Sequence, residues 1–151
     1  MKKKYEPRGG YDFDAKRLYR SRVWTWFDAF SREVPGGKGA TAVLLTGVGG
    51  EEAKTAKRHG FRDVVAVNYN PAIAATVKRR LPWVRTRGVS LSRALWSLPP
   101  RSVGFLSIDF CGNLGHITMP ELGLCGAAPS LMDRGFVAIN LLRGRETADV
   151  K

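Results

Sequence analysis

A chain of 151 residues is long enough for one domain with a buried core. Its 25 Lys and Arg against 13 Asp and Glu leave a formal charge of +12. Such a field draws polyanions, which makes nucleic acid the leading expected partner and an anionic membrane surface the second. Two cysteines, Cys111 and Cys125, exclude a disulfide scaffold and point to a reducing compartment. No apolar run approaches the ~20 residues that span a bilayer, and no apolar segment follows the basic start at Met1 to Lys4. A cytoplasmic protein without a membrane partner is expected.

Residues 1–11 are basic and include Gly9-Gly10, which predicts a flexible arm carrying Lys2, Lys3 and Lys4. Residues 12–151 then read as a single domain. From Asp14 to Val34 the pattern is helical: Tyr19, Val23, Trp26, Phe27, Phe30 and Val34 recur at steps of three and four. Asp12 or Asp14 suits the cap, and Pro35-Gly36-Gly37 ends the run. Lys16, Arg17, Arg20 and Arg32 give this amphipathic helix a cationic side, read first as a solvated face.

Beyond Gly39 the chain alternates between strands and helices. A buried strand is predicted at Thr41–Thr46, a helix from Glu51 to His59 stopping at Gly60, and a short strand at Val64–Val67. Asn70 caps a helix with Pro71 at its first position and Ile73, Val77 and Leu81 inward. Trp83–Thr86 reads as a third strand. Ser90 caps a short helix ending before Pro99-Pro100, and Val103–Ile108 is a buried strand. A glycine-rich stretch with Pro120 and Pro129 holds a broken helix, and Phe136–Leu142 is the last strand. Strand and helix repeated with short turns predict an α/β domain. The expected form is a Rossmann-like three-layer sandwich with a mostly parallel sheet of about five strands, preceded by the amphipathic helix. In such sheets ligands sit at the carboxyl ends of the strands, where the strand order reverses.

Two places carry candidate chemistry. Gly47, Gly49 and Gly50 lie between the first strand and its helix, where missing Cβ atoms let a ligand approach backbone N–H groups. A purely structural turn is the competing reading. At the end of the second strand, Asn68 suits a ribose hydroxyl and Tyr69 an adenine ring, or both are turn residues before the capped helix. At the end of the fourth strand, Asp109 and Phe110 combine an acceptor with an aromatic face, and Asn113 offers a further amide. Cys111 with nearby His116 suggests a thiolate nucleophile, against which a small buried cysteine is the favoured reading. His59, His116 and the two cysteines show no zinc spacing, and no metal is expected.

The segment Thr41 to Leu142 resembles a class I S-adenosylmethionine-dependent methyltransferase core. The glycine turn, the Val64 to Pro71 segment, the strand ending in Asp109 and the approach Asp133-Arg134-Gly135-Phe136 carry the resemblance. It implies S-adenosylmethionine as cofactor, with Gly47, Gly49 and Gly50 at its methionine end and Asn68, Tyr69 and Ser90 at its adenosine. It also implies Asp109 and Phe110 facing a substrate amine, as in members that methylate exocyclic base amines. The chain departs from the family at four places. Leu45 replaces an acid ahead of the glycines, Glu51 the last glycine, Asn68 the ribose acid, and Ser90 an acid near the adenine amine.

The expected function is methyl transfer to nucleic acid, with Lys2, Lys3, Lys4, Arg17, Arg20, Arg79, Arg80, Arg85 and Arg87 contacting phosphates. Two alternatives stand beside it. One is a catalytically inactive nucleic-acid-binding or assembly protein, favoured by the missing acids. The other is an NADP-dependent oxidoreductase, against which Glu52 stands where a third glycine is needed. The apolar run at 136–142 would make a sheet edge, for which a homo-oligomer contact or cover by the first helix is expected.

Overall fold

A computed structural model describes residues 13–34, 39–109 and 118–140, with side chains described for 18–34, 39–109 and 119–140. The expected arm, Lys2, Lys3, Lys4, the Arg17 side chain, Phe110, Cys111, Asn113, His116 and residues 141–151 lie outside these ranges. Ten elements follow in chain order: α1 (Phe13–Glu33), β1 (Thr41–Leu45), α2 (Glu51–Arg58), β2 (Asp63–Val67) and α3 (Pro71–Arg80). Then come β3 (Arg85–Arg87), α4 (Leu91–Trp96), β4 (Val103–Asp109), α5 (Thr118–Gly126) and β5 (Leu131–Asn140).

The five strands form one sheet in the order β3-β2-β1-β4-β5, and every pairing is parallel. Alternation along each strand sends side chains to opposite faces. Ala42, Leu44, Val64, Ala66, Phe105 and Ala138 join a core with residues of α1, α2 and α3. Val43, Val65, Val67, Leu106 and Ile108 join a second core with residues of α4 and α5. The result is a Rossmann-like three-layer α/β sandwich. Crossovers turn one way from β1 to β3 and the other way from β4 onward, so the strand order reverses between β1 and β4.

Local sequence explains the helix ends. Asn70 accepts the Ala72 amide at 3.0 Å ahead of Pro71, and Ser90 accepts the Arg93 amide at 3.3 Å. In α2, Glu51 and Glu52 stand in the first turn and Lys57 and Arg58 in the last, matching the helix dipole.

Three expectations need correction. Trp26 is 60% exposed, and Trp24 is buried in its place, stacked on Phe105 at 4.6 Å and on His59 at 4.5 Å between ring centroids. The third strand is Arg85–Arg87 instead of Trp83–Thr86, and Trp83 is exposed under the Lys57 ammonium. Charged residues on this end strand discourage pairing with another sheet. The last strand begins at Leu131, but its ladder jumps from Val103–Leu131 to Phe105–Phe136, so Met132 to Gly135 bulge out. One face of β5 is covered: Phe136 packs on Phe27 and Phe30 of α1. Val137 and Ile139, on the opposite face, are about half exposed among the described residues.

Candidate functional site at the carboxyl ends of the strands

The glycine turn follows β1 directly. The Gly50 amide donates to the Gly47 carbonyl at 3.1 Å, and Gly50 takes φ +66°, a left-handed conformation. A Cβ on Gly50 would stand 2.6 Å from Leu81 Cδ1, so that glycine is demanded by the fold. Gly47 differs: a Cβ there meets no atom of the described residues within 4 Å. No side chain caps α2, so its first amides point at the turn without a side-chain acceptor.

Charged groups surround this turn. The Glu51 carboxylate lies beside Gly49, 3.6 Å from where its Cβ would be, and accepts from Lys54 at 2.7 Å. Glu52, the neighbouring carboxylate, is ion-paired with Arg20 of α1. Arg80 reaches across from α3 to the Val48 carbonyl at 3.2 Å.

At the end of β2, Asn68 works as a strut. Its Nδ2 donates to the Thr46 carbonyl at 2.7 Å, and its Oδ1 accepts the Asn70 amide at 2.9 Å. An aspartate has no hydrogen for Thr46, which gives asparagine a structural reason to stand there. Tyr69 beside it is 83% exposed, with its ring open to solvent. Ser90, past the end of β3, is occupied as the cap of α4. The Glu121 carboxylate of α5 completes that cap, accepting from the Ser92 amide at 2.7 Å and the Ser92 hydroxyl at 2.8 Å.

Asp109 ends β4 opposite Asn140 of β5, whose Nδ2 donates to Asp109 Oδ1 at 2.9 Å. Tyr19 of α1 packs against the first core. Burial, and then the Asp109 charge, push its phenol up to about 12. Its hydroxyl is buried and has no hydrogen-bond partner among the described residues. Neither Tyr19 nor Asn140 was singled out by sequence reasoning as a site residue. Tyr19 reads as one more member of an apolar stripe, and Asn140 as a strand residue. Only the pairing of β4 with β5 brings Asn140 to Asp109.

No protein-family model matches the chain, and no curated protein does.

The remaining expected phosphate contacts divide in two. Arg79, Arg80, Arg85 and Arg87 gather on α3 and β3 at one end of the sheet, whereas Arg20 lies between α1 and α2. Arg85 also clamps Asp63, which accepts the Thr41 hydroxyl at 2.6 Å, while Arg79 reaches the Thr76 hydroxyl at 3.3 Å. Arg87 is exposed. No group of three or more His, Cys, Asp or Glu able to hold a metal occurs among the described residues. No described helix is long and apolar enough to cross a membrane.

Cys125 is buried in the second core. Burial, and then the Glu121 charge, raise its thiol to about 12. The unfolded thiol ionises from about pH 8.5, while the folded one keeps its proton. Above that pH the native state therefore holds more protons than the unfolded state, and stability falls as pH rises toward 12. Tyr19 adds a loss of the same sign between about 10 and 12. Urea midpoints recorded from pH 8 to 11 should decline, and Cys125→Ala should flatten the part that begins near pH 9. A decline of equal steepness in that variant would refute the assignment.

Proposed function

We propose that the chain is an S-adenosylmethionine-dependent methyltransferase-like enzyme acting on nucleic acid. The observation that carries this reading is the opening at Gly47, beside the place where the strand order reverses. No described atom lies within 4 Å of where a Gly47 Cβ would stand, so a ligand can approach the backbone there. Across the reversal, at the end of β4, stands Asp109, which suits an acceptor for a substrate amine.

The charge at the turn selects among nucleotides. Glu51 and Glu52 put two carboxylates in the first turn of α2, where a pyrophosphate would otherwise sit. Although Lys54 and Arg20 pair with them, they leave a pyrophosphate no free helix terminus, whereas S-adenosylmethionine has no phosphate to place and presents an ammonium and a sulfonium. Gly47 and Gly49 would line that end, Asn68 and Tyr69 the adenosine. Arg79, Arg80, Arg87 and the basic arm would supply phosphate contacts for the substrate.

Calorimetric titration tests the reading. S-Adenosylmethionine should bind, NADP should not, and Gly47→Val should weaken binding about tenfold or more at an unchanged unfolding midpoint. A tenfold loss corresponds to roughly 1.4 kcal/mol. Tritiated methyl groups should pass from the cofactor to nucleic acid. If S-adenosylmethionine fails to bind while nucleic acid still does, the second reading stands: a catalytically silent nucleic-acid-binding protein. That reading draws support from Asn68, whose amide is engaged at both ends within the fold.

A further inference from the structure

The last turns of α2 and α3 bring together more positive charge than the fold uses. The two helices share the first core through Ala53, Ala56 and Val77, and Lys57 of α2 holds its ammonium 5.6 Å from the ring centroid of Trp83, just past α3. Some cations here serve the structure. Lys78 donates to the Pro82 and Val84 carbonyls at 2.8 and 3.2 Å, and Arg85 pairs with Asp63. Lys57, Arg58, Arg79 and Arg80 are different: all are exposed, and none meets a carboxylate among the described residues. Arg58 and Arg79 each reach a threonine hydroxyl three residues back, and Arg80 the Val48 carbonyl, so neutral oxygens leave their charge standing. A helix C-terminus carries about half an elementary negative charge. Two such cations at each end exceed what the dipoles call for. Trp83 stands beside them and is 41% exposed, while Leu81 and Val84 on either side of it are buried.

We propose that Lys57, Arg58, Arg79, Arg80 and Trp83 form a docking surface for single-stranded nucleic acid, with the cations on phosphates and a base stacked on the indole. Stacking asks only for a π-face, which an unpaired base presents and a base inside a duplex does not. The Lys57 ammonium at the ring places a phosphate contact next to the stacked base. The proposal rests on the nucleic-acid half of the proposed function and not on methyl transfer. α2 packs on β1 and β2 and α3 on β2 and β3, so this surface stands toward the β3 end of the sheet, away from Asp109 on β4.

An anionic membrane is the other polyanion that an indole among lysines suits. A helix that lies in a membrane surface needs its apolar face turned outward. In α2 and α3 that face is buried, at Ala53, Ala56, Ala74 and Val77, which favours the nucleic acid.

The test uses the whole chain without methyl donor, so cofactor binding does not enter. Fluorescence anisotropy follows a labelled oligothymidylate of about 15 nucleotides and, separately, a duplex of the same length. The single strand should bind more tightly than the duplex. Trp83→Ala should weaken the single strand about tenfold, the size of one lost base stack, and leave the duplex unchanged. Trp83→Tyr, which keeps a ring, should recover most of the loss. Arg79→Gln should lower the slope of log affinity against log salt by about 0.7, as for one phosphate contact to a single strand. Tighter binding of the duplex, an equal loss for both probes in Trp83→Ala, an unchanged salt slope in Arg79→Gln, or capture by phosphatidylserine vesicles without binding of the oligonucleotide would each overturn the proposal. If Trp83→Ala holds the single strand as the wild type does, this surface falls and the nucleic-acid reading stands. If the wild type binds neither probe, both fall.

Discussion

Phe105→Ala is expected to lower the free energy of unfolding by about 3–5 kcal/mol in urea denaturation. Phe105 is fully buried and its ring touches four other aromatic groups. Trp24 stacks on it at 4.6 Å and Phe136 at 5.6 Å, while Phe27 meets it edge-on at 4.9 Å and Phe61 lies tilted to it at 5.6 Å. These neighbours come from α1, β5 and the segment between α2 and β2, so the cavity left by truncation is walled by elements that cannot collapse together. Domains of this size are stable by only about 5–15 kcal/mol, so the variant should sit near its folding threshold. Val137→Ala, on the uncovered face of β5, should cost under about 1 kcal/mol. Similar losses in the two variants would contradict the placement of the aromatic core.

Gly50→Ala should destabilise by about 1–3 kcal/mol, combining left-handed strain with a collision. The new methyl would arrive 2.6 Å from Leu81 Cδ1, and Leu81 is itself buried, so it has nowhere to swing. Gly47→Ala, three residues earlier, meets no described atom within 4 Å and should leave stability unchanged within about 0.5 kcal/mol. Urea midpoints of the two variants separate the glycine that shapes the turn from the glycine that leaves room beside it. Equal midpoints would mean that the turn does not hold its left-handed residue at Gly50.

Much of this architecture is legible in the sequence because its signals are local. Pro71 behind Asn70, Ser90 ahead of Leu91 and the buried runs at 41–45 and 103–109 each announce an element through a few adjacent residues. The choice between Trp24 and Trp26 is not local. At about 100° per residue Trp26 lies nearer Val23 on the helical wheel than Trp24 does. The stack of His59 and Phe105 nevertheless claims Trp24, and nothing comparable covers Trp26. The third strand was misplaced for a related reason. Trp83 and Val84 look like strand residues, but the end position in the sheet goes to Arg85–Arg87, whose Arg85 is anchored by Asp63 of β2.

The candidate site was legible in half. Its glycines and Asp109 stand where strand meets turn, and the sequence marks such places. The pair of Asp109 and Asn140 is invisible there, because residues so far apart meet only through the register of β4 against β5. Asn68 shows the opposite limit. The sequence correctly places it at the end of β2, yet its bonds to the Thr46 carbonyl and the Asn70 amide appear only in three dimensions.

The docking of α1 also sets an order of events during synthesis. This helix leaves the ribosome before any strand, yet two of its aromatic partners, Phe105 and Phe136, belong to the last two strands. Domains form as units while the chain emerges. Here α1 can meet His59 and Phe61 early, but its packing on Phe105 and Phe136 must wait until almost the whole sheet has been made. Over that interval the part of its aromatic face that Phe105 and Phe136 later cover stays exposed on the nascent chain.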